Sequence, residues 1–283
     1  MLRVRPIHFT SRPDQWERLL EDLGMVKTVD EPAWREFDAG AGRLALHVVE
    51  AGSAEDGTTA FGVEAGDLAE FARRTNEAGA GIRAQARADV PGTTAELIEA
   101  DHGPSCRITA ADGFSFIADP ATRAPDGTWA GSAEADPDLA VVGVWFAADP
   151  TAAARTLRDI GARPRPVPGG AGSGSADADT VETEAFTAKN GGVLMVGTAG
   201  ADAGTGSAGL GFEYGGDLER LRERLAGAGH EVAVVEEAAV ALLHVGNPDA
   251  DGAAQAHALW ISAAPRRWPA RVTTPGDRGC GRT

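Results

Sequence analysis

Four stretches of this chain carry the same start and stop signals for a helix, and no other feature constrains its fold as tightly. They are FTSRPDQWERLLEDLGM (9–25), GVEAGDLAEFARRTNEAGA (62–80), FAADPTAAARTLRDIGA (146–162) and GFEYGGDLERLRERLAGAGH (211–230). Asp67, Asp149 and Asp217 stand where a side-chain carboxylate accepts the first free N–H groups of a helix. Gly24, Gly79, Gly161 and Gly229 stand where a left-handed residue closes one. The Asp-to-Gly spacing is identical in the last three stretches, and Arg12 to Gly24 repeats it in the first. Coincident caps of this kind mark a repeated supersecondary unit.

Further strand-like runs follow each helix. In the first unit WREFDAG and RLALHVV flank a glycine-containing turn and read as a hairpin. TEAFTAKNGGVLMVG repeats that plan in the third, with Phe186 in the place of Phe37 and Gly191 in the place of Gly42. The second unit supplies TAELIEAD, CRITAADG and FSFIAD, and the fourth EVAVVEE, ALLHVGNPDADG and HALWISA. Each unit therefore reads β-α-β-β-β, which makes this an α+β chain of four such modules.

A Pro/Gly/Ala/Asp-rich stretch, 121–138, divides the chain. Residues 1–120 carry two modules and residues 139–263 the other two; 264–283 read as a tail, and 167–180 as a mobile loop. A hydrophobic share of 43% supplies a core for both halves. The net charge of −16 argues against a nucleic-acid partner. The two cysteines, Cys106 and Cys280, form no CxxC pair and indicate neither a disulfide framework nor a zinc cluster. No apolar run reaches membrane-spanning length, and MLRVRPIHFTS lacks the apolar centre of a secretion signal. The expectation is a cytoplasmic protein with no membrane partner, a monomer or homodimer.

Paired β-α-β-β-β modules resemble the vicinal oxygen chelate superfamily, which includes glyoxalase I, extradiol dioxygenases and bleomycin-resistance proteins. LLEDLGM and DPTAAARTLRDIGA look like that family's first helix, and NPDADG like its hairpin turn. The resemblance spans residues 2–120 and 139–263. It implies that two modules form one domain, with a curved mixed sheet whose concave face is the binding cavity.

The resemblance also implies where a divalent metal would be held: early in a module's first strand, about seven residues before the capping Asp, and on its last strand. The first-strand slots fall on Arg5, Ala60, Val142 and Leu210. The last-strand slots fall near Leu46–His47, Phe116–Ile117, Leu194–Met195 and Leu259–Trp260. Hard divalent ions need several oxygen or nitrogen donors on one point, and only His47 is one. The leading expectation is therefore a chain with no cofactor that binds a small aromatic or cationic molecule, as the bleomycin-resistance branch does, with antibiotic resistance as an associated role. The alternative is a divalent-metal-dependent lyase, isomerase or dioxygenase holding its metal with His8, His47 and Glu64. No P-loop, GxSxG, HExxH or Rossmann glycine pattern points to other chemistry.

Pockets for small molecules are mostly apolar with a few orienting polar groups. The strands offer His8, Trp34, Phe37 and His47 from the first module, Trp145, Phe186 and Met195 from the third, and His244 and Trp260 from the fourth as ligand-contacting candidates. Each aromatic is also a candidate for the core, because one face of each sheet packs on helices. Trp16 lies at core spacing with Leu19, Leu20 and Leu23. His102 reads as a turn residue and His230 as a group at a helix end.

Overall fold

The computed structural model describes residues 2–85, 92–124, 127–166, 184–199, 206–237, 240–250 and 259–264. The four modules are present. The first comprises β1 (Leu2–Val4), β2 (Ile7–Thr10), α1 (Pro13–Asp22), β3 (Val26–Glu31), β4 (Trp34–Asp38) and β5 (Arg43–Val48). The second comprises β6 (Thr59–Ala60), β7 (Gly62–Ala65), α2 (Leu68–Gln85), β8 (Thr94–Ala100), β9 (Gly103–Thr109) and β10 (Ser115–Pro120). The third runs through β11 (Leu139–Ala147), α3 (Pro150–Asp159), β12 (Arg163–Arg165), β13 (Glu184–Thr187) and β14 (Val193–Thr198). The fourth runs through β15 (Ser207–Tyr214), α4 (Leu218–Gly227), β16 (Val232–Glu237), β17 (Val240–Val245) and β18 (Leu259–Ala263).

In every module the last strand lies parallel to the first: β5 to β2, β10 to β7, β14 to β11 and β18 to β15. The sheets are therefore mixed. The second half forms one curved eight-stranded sheet, β12-β13-β14-β11-β15-β18-β17-β16. The first half forms two five-stranded sheets, β3-β4-β5-β2-β6 and β1-β7-β10-β9-β8, where a single sheet was expected. The cause lies at Pro6, which has no N–H for a ladder and breaks the first strand into β1 and β2. Each piece still pairs with a piece of the second module's first strand, β1 with β7 and β2 with β6.

The helix signals act as read, with one exception. Asp149 accepts from Ala152 N at 3.0 Å, and Asp217 from Glu219 N and Arg220 N at 2.9 and 3.3 Å. Asp67 accepts from Glu70 N at 2.9 Å. Gly24, Gly161 and Gly229 take φ of +90°, +92° and +94°, which only glycine adopts freely. Gly79 does not end its helix: α2 continues to Gln85. Its missing side chain serves a close approach instead, since a Cβ there would stand 2.1 Å from the Thr93 carbonyl oxygen.

The helices lie between the halves. One core joins Trp16, Leu19, Leu20 and Leu23 of the first module to Leu221 and Leu225 of the fourth. The other joins Phe71 and Ala72 of the second to Ala153, Ala154 and Leu157 of the third. Burying a large apolar side chain stabilises by about 1.5–3 kcal/mol, so these contacts tie the two halves together. Strand alternation then assigns the faces. Residues that meet the helices sit on one side of each sheet, and their neighbours in sequence point to the opposite, concave side.

Candidate functional site

The concave side of the first half is filled with charge. Arg5 Nη1 donates to Glu36 Oε1 at 2.7 Å, and its other terminal nitrogen pairs with Asp119. Arg43 donates to Asp38 at 2.6 Å and Glu36 at 2.7 Å, and reaches Glu64 at 3.5 Å. Arg3 pairs with Glu64. All seven side chains are buried. Residues 129–132 of the stretch that divides the two halves lie over them. Ala130 O accepts from Arg3, Ser132 N donates to Asp38 Oδ2 at 2.9 Å, and the Arg3 guanidinium stands 5.3 Å from the Trp129 ring. Trp34 packs over Arg5 at 5.4 Å. Burial pushes the Glu64 carboxyl above the usual range against the pull of Arg3, Arg43 and Arg5. Burial likewise holds the Arg3 guanidinium below its ordinary value.

His8, His47 and Glu64 do not converge. His8 faces the helix side, with its ring 4.2 Å from Trp16. Its Nε2 meets Asp249 Oδ2 at 2.7 Å and its Nδ1 meets Thr59 Oγ1 at 3.0 Å. His47 lies on the opposite face, near the Phe9 and Trp34 rings at 5.2 and 5.8 Å. Glu64 is bracketed by three guanidiniums, which place positive charge where a cation would sit. A one-residue step along a strand reverses the face, and that step separates His8 from the other two. No group of three or more His, Cys, Asp or Glu among the described residues is placed to hold a metal ion. His102, Ser105 and Asp119 come together without forming a proton relay. Ser105 is fully buried, and Ser105 Oγ and Asp119 Oδ1 meet the same ring nitrogen, His102 Nε2, at 3.2 and 2.9 Å, whereas a relay needs them on the two different nitrogens of the imidazole.

The second half presents a different surface. Trp145, which the sequence offered as a ligand contact, lies in the helix-side core with 0% exposure, and so do Phe37 and Phe186. These three are corrected to core residues, because alternation sends their side chains toward the helices. The neighbour of Trp145, Phe146, takes the concave side and is 36% exposed. Met195 and Trp260 are half-buried there, packed on Ala140, Val142, Val144 and Val193. His244 pairs across the ladder with Trp260 on the same face.

Glycines let the two rings lie flat against the sheet. A Cβ at Gly211 would stand 2.3 Å from the Trp260 indole, and one at Gly209 would stand 2.9 Å from the Phe146 ring. The metal slots counted here, Val142 and Leu210, supply no donor. Val142 pairs with Gly211 beneath the indole, and Leu210 points into the helix-side core. Beyond Gly211 on the same face comes Glu213, which is buried and paired with Arg165 of β12. Four steps of the strand order separate β12 from β15, so that pair can close only across a strongly curved sheet. Sequence reasoning missed Phe146, Glu213 and Arg165. LAVVGVWFA is apolar on both faces, which hides its register, and the Glu213–Arg165 pairing is long-range.

Solved structures share this architecture. A halotolerant catechol dioxygenase matches with a TM-score of 0.52 at 13% identity, over 92% of this chain and 84% of that one. A catechol 2,3-dioxygenase matches with 0.51 at 15% identity, over 95% and 89%. A Mn(II)-bound glyoxalase from Novosphingobium aromaticivorans matches with 0.51 at 10% identity, over 92% and 80%. No protein-family profile and no curated relative matches the sequence. The expectation that the chain takes no cofactor is corrected here. A solved structure with this fold is metal-bound, so empty sequence slots do not argue against a metal in a protein of this architecture. His8, His47 and Glu64 are not residues that fit one. No helix among the described residues is long and apolar enough to cross a membrane. With four β-α-β-β-β modules, parallel first and last strands in each, and these structural neighbours, the chain has the fold of the vicinal oxygen chelate superfamily.

Proposed function

We propose that this protein binds a small, flat, largely apolar molecule on the concave face of its second half. The observation that carries the reading is the pair of rings, Phe146 and Trp260, laid on the glycines Gly209 and Gly211 and left partly open beside Met195 and His244. A ring held flat presents its face, and stacking on it adds about 0.5–1.5 kcal/mol beyond the area buried. The first half does not compete for this role. Its concave side is occupied by Arg3, Arg5, Arg43 and their carboxylates under residues 129–132. On this reading the first half buttresses the second, and the chain works as a monomer or homodimer.

The test is a binding screen by isothermal calorimetry with flat aromatic compounds, run with and without Mn(II) so that a metal-dependent ligand is also detected. Hits should lose most of their affinity in Trp260→Ala and keep it in Trp34→Ala. Retention in the first variant, or equal loss in both, refutes the assignment.

A further inference from the structure

We infer that Glu213 selects, within that site, ligands that carry a neutral hydrogen-bond donor, an N–H or O–H, on their flat body. This rests on the platform reading above and specifies its ligand class. Glu213 shares the concave face of β15 with Gly209 and Gly211, because Leu210 and Phe212 point to the helix-side core. It lies one pleat repeat, about 7 Å, along the strand from the glycine under the Trp260 indole. Its ladder partner on β18 is Ser262, two residues beyond Trp260.

The carboxylate is 2% exposed and is half used. Oε1 accepts from Arg165, whereas Oε2 is buried and has no hydrogen-bond partner among the described residues. Buried polar atoms are nearly always paired, so an open acceptor beside an aromatic platform marks where a ligand's donor belongs. Arg165 decides which donor. It already balances the carboxylate's charge, so a ligand cation would bring a second positive charge to the same group, whereas a neutral N–H or O–H completes the hydrogen bonding without one. Burial keeps the carboxyl above its ordinary range, opposed by the hydrogen bond and charge of Arg165.

Indole and 1-methylindole provide the test, since they differ in one N–H. Calorimetry on the full chain should show indole binding about tenfold more tightly, the range of a hydrogen bond to a charged acceptor. The preference should disappear in Glu213→Met and shrink in Glu213→Gln. Circular dichroism confirms folding, and the Gln variant keeps the shape should the Met variant fail to fold. Equal binding of the two probes to the unaltered protein overturns the role of Glu213 and leaves the platform standing. A preference that survives both substitutions also overturns it. If neither probe binds, the platform itself fails and this inference with it.

Discussion

Replacing Asp249 by Ala should destabilise the protein by about 3 kcal/mol, whereas Asp249→Asn should cost about 1 kcal/mol. Asp249 sits in the turn after β17 and reaches into the first module. Its Oδ2 accepts from His8 Nε2 and Trp16 Nε1, both at 2.7 Å, and its Oδ1 from Thr10 Oγ1 at 2.6 Å. His8, Thr10 and Trp16 are exposed by 2% or less. Truncation strands two buried N–H donors, each costing about 1–3 kcal/mol, while the Thr10 hydroxyl can turn to another acceptor. An Asn can replace the contacts one for one. Its oxygen takes the place of Oδ2, and its amide N–H donates to Thr10 Oγ1, so only the charge assistance is lost. Urea unfolding followed by tryptophan fluorescence measures the difference, with the slope unchanged. If the two variants fall within about 0.5 kcal/mol of each other, the three-donor account is wrong. The pH dependence has a fixed sign. Burial raises the Asp249 carboxyl, but the hydrogen bonds from His8, Thr10 and Trp16 outweigh it and hold it below 3.8. Its contribution is therefore complete above the unfolded value and is lost as pH falls through the lower folded one. Asp249→Asn should flatten that part of the acid limb.

Other substitutions probe the two concave faces. Arg43→Met leaves Glu36, Asp38 and Glu64 without their shared cation at 2–8% exposure, and should destabilise by about 3–5 kcal/mol in urea unfolding. Glu64→Gln should cost less, because burial already favours the uncharged form there. Gly211→Val should drive the Trp260 ring off the sheet, since its Cβ meets the indole at 2.3 Å. The expected readout is lost binding with far-ultraviolet circular dichroism unchanged. The Cys106 thiol is fully buried and pushed up to about 11 by that burial, so in a Cys280→Ser background the native protein should not react with a disulfide reagent at pH 8 until it is unfolded.

Helix positions were legible because their signals are local. Asp149, Asp217, Gly24 and Gly161 each act within one turn of backbone, so the residue alone reveals the role. Gly79 misled because a close approach to Thr93 demands glycine as strongly as a helix end does. Strand faces were harder. A one-residue register error exchanges Trp145 for Phe146, and nothing in an all-apolar strand signals which is which. The sequence left the face of His8 open for the same reason, and the structure turns it to the helix side. The charged face of the first half did leave a signal. Arg3 and Arg5, and Glu36 and Asp38, alternate with apolar residues on strands that are otherwise core, which marks a charged face opposite an apolar one. Their partners could not be read, because the Arg5–Asp119 pair spans 114 residues of sequence.

The methionine methyl groups test the central claim most directly. The chain has three methionines: Met1, Met25 in the helix-side core under α1, and Met195 on the proposed platform. In protein carrying ¹³C-labelled methionine methyls, with Met195→Leu assigning the signal, titration with indole should move the Met195 resonance saturably and leave Met25 in place. Binding that leaves Met195 still, or that moves Met25 instead, would contradict a site on the concave face of the second half.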